Sequence, residues 1–151
     1  MAAGKTTVGR RVAELTGTEF VDLDQAIENA RGKPVARIFA EEGEAAFRTL
    51  ERDLAARVLR ADTVIALGGG APMDDETWAA VRVGAVTVFL DAPLAVLRER
   101  LGAGAGRPLA GGDLEALLAQ RLPRYREAGH TVDGARDPED VAREVVALWS
   151  A

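Results

Sequence analysis

Apolar residues along this chain follow two patterns, one of short continuous runs and one of intervals of three and four residues. The short runs predict strands over residues 20–23, 63–67, 85–90 and 130–132. The wider intervals predict helices over residues 5–16, 24–30, 34–42, 44–60, 75–81, 93–101, 113–128 and 138–149. Gly17 and Gly32 stand where two of these helices should end, as is typical of helix carboxyl termini. Strands and helices therefore alternate from end to end.

This alternation indicates the fold class. Strands separated by helices form parallel sheets, and nearly continuous apolar strands such as residues 63–67 are expected when helices cover both faces. We therefore predict an α/β fold of three layers, with a doubly wound parallel sheet between helices. A chain of 151 residues has room for one such domain, which we place over residues 1–151.

The charge of the chain limits its partners. The net charge is −5 and the pI is about 5.0, so no general positive field exists to hold nucleic acid or an anionic membrane. The absence of cysteine excludes disulfides and thiolate chemistry. Residues 1–15 lack the apolar core of a signal peptide. We expect a monomeric cytoplasmic protein that binds small molecules, and neither nucleic acid nor a membrane.

The sequence Gly4-Lys5-Thr6-Thr7 leads directly into the first predicted helix. It matches the second half of the phosphate-binding loop GxxxxGK[ST], in which backbone amides and the lysine contact phosphates and the hydroxyl binds Mg²⁺. Four residues of this kind can also occur by chance in a glycine-rich chain. The motif predicts a nucleotide site only in combination with the features that follow.

Asp22 and Asp24 lie at the end of the first predicted strand. Ligands of open α/β sheets bind beyond the carboxyl ends of the strands, so one carboxylate can face a metal and the other a substrate hydroxyl. Either residue could instead cap the next helix, and capping is compatible with a role in the site.

Arg48 and Glu51 are three residues apart, and therefore neighbours on one face of a predicted helix. They lie beside an apolar stripe that includes Phe47 and Leu50. An arginine oriented by a carboxylate at the edge of a buried stripe suits the bidentate capture of a substrate carboxylate. The spacing is equally compatible with an ordinary surface ion pair.

Two glycine-rich segments follow. Gly68, Gly69 and Gly70 end an apolar strand, where backbone without side chains can approach a ligand closely, although a loose turn would look the same. Residues 102–112 hold five glycines around Arg107, a composition that predicts a mobile lid delivering a cation or, alternatively, a plain connector. Arg121 and Arg124 lie on the next predicted helix, and each taken singly is expected to be a solvated charge.

Together, GKTT, DLD, GKPVARIF, GEAAFRTLE, LGGGA, RPL and RLPRY, in this order and spacing, resemble the shikimate kinase family. The resemblance covers nearly the whole chain. It implies a five-stranded parallel sheet of the nucleoside monophosphate kinase type. The implied activity is the ATP-dependent phosphorylation of the 3-hydroxyl of shikimate, a transferase reaction of aromatic amino acid biosynthesis.

The resemblance also assigns roles to residues. On the nucleotide side, Lys5 and Arg107 would contact the phosphates, Thr6 would bind Mg²⁺ with Asp22 in its outer shell, and the remaining contacts to ATP would come from Gly4, Thr7, Arg100, Arg136 and Pro138. On the substrate side, Asp24 would hold the attacking hydroxyl as the candidate base. The groups implied to bind shikimate are Arg48, Arg121, Gly68, Gly69 and Gly70.

The chain departs from the family pattern in two places. Ala110 follows Arg107-Pro108-Leu109 where the family usually has a second leucine. The family also begins with a strand and a glycine that are not found ahead of Gly4, so the neighbours of that central strand should lack ladder partners on one side. We expect Met1 to be an internal methionine of a longer phosphate loop.

Two other functions stay open at this point. Another small-molecule P-loop kinase, such as a gluconate kinase, would share the loop and the fold class. The incomplete loop would also suit a ligand-binding module without catalytic activity.

Overall fold

The computed structural model describes residues 2–59, 62–102 and 113–150. Within these ranges, the helices are α1 (Lys5–Thr16), α2 (Leu23–Arg31), α3 (Val35–Val58), α4 (Asp75–Gly84), α5 (Leu94–Gly102), α6 (Leu114–Tyr125) and α7 (Pro138–Trp149). The strands in the same ranges are β1 (Glu19–Asp22), β2 (Thr63–Ala66), β3 (Val88–Asp91) and β4 (His130–Asp133). A short 3₁₀ helix, Ala71–Met73, follows the triple glycine. The order of predicted elements is confirmed.

The boundaries differ from the prediction in two informative places. The predicted helices 34–42 and 44–60 are joined as α3, which bends at Gly43, where φ is 84° and ψ is 168°. The predicted strand 85–90 begins only at Val88, because α4 continues to Gly84 and the amide of Ala85 still donates to the carbonyl of Val81. The apolar residues Ala85 and Val86 therefore lie between the helix and the strand, outside both.

The described strands form two parallel pairs. β1 pairs with β2 in the register Glu19 to Thr63, and β3 pairs with β4 in the register Val88 to His130. Within the residues that the structure describes, no ladder joins β2 to β3. Residues of both strands instead line an apolar cavity of about 690 Å³. This confirms that the strands on either side of the expected central strand lack a ladder partner on one side.

Two apolar clusters hold the elements in place. One joins α1 and α7 to β3 and β4, and its fully or nearly buried residues are Val8, Val12, Leu90, Val132, Val141 and Ala142. The other joins α2 to α3 through Leu23, Ile27, Ile38, Phe47 and Ala55. The first cluster fixes the start of α1, and the second fixes the face of α3 that carries Arg48. In the described part of the chain, none of the helices has the length and apolar character needed to span a membrane.

Candidate active site

The amino end of α1 opens onto a cavity. Gly4 precedes the helix with φ 89° and ψ 12°, a left-handed conformation that glycine adopts without steric cost. The cavity measures about 680 Å³, and its lining includes residues 2–8 together with Arg100, Arg136 and Pro138. A helix amino terminus carries unpaired amides and partial positive charge, and Lys5 adds a full charge. The predicted nucleotide-binding residues within the described ranges therefore line one space suited to phosphate groups.

Arg100 connects three segments around this cavity. Its Nη1 donates to the carbonyl of Gly134 at 2.9 Å and to the carbonyl of Ala2 at 3.5 Å. The end of α5 is thereby linked to the loop after β4 and to the residues ahead of α1. Arg136, which is exposed, also lines the cavity and pairs with Glu144.

Thr6 and Asp22 are in direct contact beside the start of α1. The Thr6 hydroxyl donates to Oδ2 of Asp22 at 2.8 Å, while Oδ1 of Asp22 accepts from the amide of Gln25 at 3.3 Å. Asp22 therefore does cap α2, and the same carboxylate faces the phosphate-loop threonine. A hydroxyl oxygen and a carboxylate oxygen are ligand types that Mg²⁺ accepts, so the pair fits a magnesium ion held mainly by phosphates and water.

Asp24 lies in the first turn of α2 and faces the backbone of Gly68. A Cβ atom placed on Gly68 would come within 2.5 Å of Oδ1 of Asp24, closer than real Cβ atoms approach other atoms. The carboxylate therefore depends on the absence of a side chain at position 68. The sequence predicted a close approach of this backbone to a ligand, and the structure shows a close approach of the Asp24 side chain.

Arg48 is not a solvated surface residue. Its side chain is 19% exposed, and Nη1 pairs at 2.5 Å with Oε2 of Glu51, whose side chain is 1% exposed. Burial raises the pKa of Glu51 above its usual value, although the guanidinium of Arg48 opposes the rise. The Arg48 guanidinium also lies 5.3 Å from the centre of the Phe47 ring. These contacts hold the guanidinium at a defined position at the edge of the core.

Arg48 and Asp24 lie against the same turn, Arg48 at Gly70 and Asp24 at Gly68. A Cβ atom on Gly70 would collide with the guanidinium of Arg48, just as one on Gly68 would collide with Asp24. The negative charge of Asp24 also contributes to the raised pKa of Glu51, the partner of Arg48. Three consecutive glycines at the carboxyl end of β2 therefore bring a carboxylate and a guanidinium together.

The remaining predicted cations divide into two groups. Arg121 is half-buried on α6 and interacts with Tyr125, whereas Arg124 pairs with Asp75 and Glu127 near the surface. Arg107 and residues 103–112 of the predicted lid lie outside the described residues. Sequence reasoning missed Tyr125, whose hydroxyl donates to the carbonyl of Gly69 at 2.6 Å. The available signal was its spacing of four residues from Arg121 on one helix.

Parallel strands between helices, with a glycine and a lysine opening the first helix onto a cavity, define a P-loop kinase. The sequence model described as shikimate kinase matches residues 1–149. The shikimate kinase of Salinispora tropica is 48% identical, over 97% of this chain and 91% of that protein. The chain belongs to the shikimate kinase family.

Solved structures agree with this assignment. Shikimate kinase from Bacteroides thetaiotaomicron has a TM-score of 0.92 at 32% identity, over 100% of this chain and 94% of that one. Shikimate kinase from Acinetobacter baumannii, solved in complex with shikimate, has a TM-score of 0.90 at 35% identity, over 98% and 87%. The predicted family and the P-loop kinase fold class are thus confirmed.

Proposed function

We propose that this chain transfers the γ-phosphoryl group of ATP to the 3-hydroxyl of shikimate, with Mg²⁺ as cofactor. One observation carries the proposal: Asp24 and Arg48 both contact the backbone of the triple glycine. A carboxylate able to orient a hydroxyl thereby lies beside a guanidinium able to bind a carboxylate. Shikimate presents both groups, and membership of the shikimate kinase family supports the choice.

The nucleotide occupies the cavity at the start of α1 in this proposal. The α1 amides and Lys5 bind the phosphates, while Arg100, Arg136 and Pro138, which line the same cavity, flank the adenine. Gly4 and Thr7 form the rest of the loop. Thr6 and Asp22 hold Mg²⁺, which when bound neutralises charge on the phosphates.

The acceptor lies against the triple glycine. Arg48 binds its carboxylate with the planar fork of the guanidinium, held by the buried Glu51. Arg121 and the backbone at Gly69 also bind the acceptor. Asp24 accepts the proton of the attacking hydroxyl and aims its oxygen at the γ-phosphorus, since phosphoryl transfer depends mainly on positioning and on compensation of charge. Arg107 in the predicted lid supplies a further cation to the phosphates.

The proposal is tested by identifying the product. The chain is incubated with ATP, Mg²⁺ and shikimate, and the product is analysed by phosphorus and proton magnetic resonance. We expect one phosphomonoester whose phosphorus couples to the proton on carbon 3. Coupling to a different carbon would contradict the assigned position.

A parallel incubation with gluconate tests the rival kinase. Turnover of gluconate in place of shikimate would assign the chain to that activity. Binding of shikimate without release of ADP would favour a ligand-binding module.

A further inference from the structure

Tyr125 links two distant parts of the site. It is the last residue of α6, and its hydroxyl donates to the carbonyl oxygen of Gly69, 56 residues away in the chain. The oxygen-to-oxygen distance of 2.6 Å is at the short end of the range for such bonds. This bond ties the carboxyl end of α6 to the middle of the triple-glycine turn.

The tyrosine is held firmly at this position. Its ring packs against Phe89 of β3, with 5.4 Å between the ring centres and a tilt of 40°. Burial raises the pKa of Tyr125, while the charge and hydrogen bonding of the Arg121 guanidinium lower it. The phenol therefore keeps its proton near neutral pH and donates a hydrogen bond to the carbonyl oxygen of Gly69. Its oxygen also faces Arg121, one helical turn earlier on α6.

The turn that Tyr125 contacts has little conformational preference of its own. Glycine has the largest conformational freedom of any residue, and a backbone hydrogen bond from the amide of Ala71 to the carbonyl of Gly68, at 3.1 Å, closes this turn from within. Contacts from outside, such as the Tyr125 hydroxyl on Gly69, add to that bond in holding its shape. Gly68 and Gly70 bring Asp24 and Arg48 close to this turn. Movement of the Gly69 carbonyl would therefore shift the surface against which both side chains lie.

We propose that Tyr125 is a positioning residue for the acceptor site, which fixes the Gly68–Gly70 turn and Arg121 relative to each other. The proposal rests on the proposed function, in which Arg48, Arg121 and this turn bind shikimate. Tyr125 acts through these groups. Loss of its hydroxyl should weaken the binding of the acceptor. The affinity for ATP should not change, because the predicted ATP-binding residues line a separate cavity at the amino end of α1.

Tyr125→Phe tests the proposal, since it removes the hydroxyl and keeps the ring that packs on Phe89. We expect KM for shikimate to rise about tenfold, as for the loss of one hydrogen bond, with KM for ATP within about twofold of the parent value. Arg124→Gln is the matched control, one residue earlier on α6 and paired only with surface carboxylates in the described structure. It should leave both constants unchanged.

A double-mutant cycle with Arg121→Gln separates positioning from general stability. If Tyr125 acts partly through Arg121, the Tyr125→Phe effect on KM for shikimate should shrink in the Arg121→Gln background. An equal rise in KM for both substrates, or a loss of thermal stability with both constants unchanged, would overturn the proposal. Absence of shikimate binding and turnover in the parent chain would instead refute the proposed function, and the positioning role with it.

Discussion

The carboxylate of Glu51 is almost completely buried, yet its partner Arg48 keeps 19% of its side chain exposed. This asymmetry distinguishes the pair from the other ion pairs on α3, such as that of Arg37 with Glu41. A guanidinium that is already held by a buried carboxylate loses less rotamer entropy when it binds a second carboxylate. Arg48 should therefore contribute to acceptor binding far more than a surface arginine does.

Replacing Arg48 with alanine should weaken shikimate binding about ten- to a hundredfold, because a charge-assisted hydrogen bond contributes roughly 1.5–3 kcal/mol. ATP affinity should stay nearly constant. Arg37→Ala is the control, since Arg37 is 66% exposed on the same helix. Calorimetric titration with each ligand measures both values, and equal losses for the two ligands would contradict the role of Arg48.

Sequence spacing was enough to propose Arg48, Glu51, Asp22, Asp24 and the triple glycine as candidate site residues, because local periodicity and motif order place them at strand ends or on one helix face. It did not show that Glu51 is buried, since burial depends on the packing of α2 against α3. The contact of Tyr125 with Gly69 was also out of reach, because it joins residues 56 apart. Contacts between distant segments are set by the tertiary fold.

At the scale of elements, the start of α4 shows how one carboxylate holds two helices. Oδ1 of Asp74 accepts from the amide and the hydroxyl of Thr77 at 2.9 and 2.8 Å, and Oδ2 pairs with Arg52 of α3 at 2.9 Å. The bond from the Thr77 amide, with the other contacts, lowers the pKa of Asp74 from 3.8 to about 2. The segment after the triple glycine is thereby anchored to α3.

Asp74→Ala should destabilise the fold by about 1–2 kcal/mol at neutral pH, the usual effect of losing a helix cap. Because the folded pKa is depressed, this stability is present above about pH 3.8 and is lost as the pH falls towards 2. Urea unfolding of the parent and variant should therefore show a difference that is nearly constant from neutral pH down to about pH 4 and shrinks from there towards about pH 2. Asp74→Asn, which retains a capping side chain, should cost less, and a pH-independent difference for Asp74→Ala would contradict this account.

At the scale of the whole molecule, the described strands are divided into two parallel pairs around an apolar cavity of about 690 Å³. Among the residues that the structure describes, the edge of β2 away from β1 and the edge of β3 away from β4 have no ladder partner. Unpaired strand edges and unfilled apolar space both reduce stability. The lining of the cavity includes Ala3 and Lys5, at the predicted phosphate-binding loop.

An extension of several valine and isoleucine residues ahead of Ala2 should therefore raise the urea midpoint of unfolding, because it can pair with both edges and fill the cavity. Amide hydrogen exchange in β2 and β3 should slow in the same variant. An extension of equal length made of glycine and serine is the control. Identical midpoints for the two extensions would contradict the interpretation of the cavity.

Asp24, which lies against the backbone of Gly68, is the residue proposed to direct phosphoryl transfer to shikimate. The most direct test is the rate of ADP release with and without shikimate, measured in the parent chain and in Asp24→Asn. We predict shikimate-dependent release in the parent, and a fall of about a hundredfold or more in kcat for the variant, which should still bind shikimate. ADP release that is independent of shikimate, or equal in the two proteins, would contradict the claim.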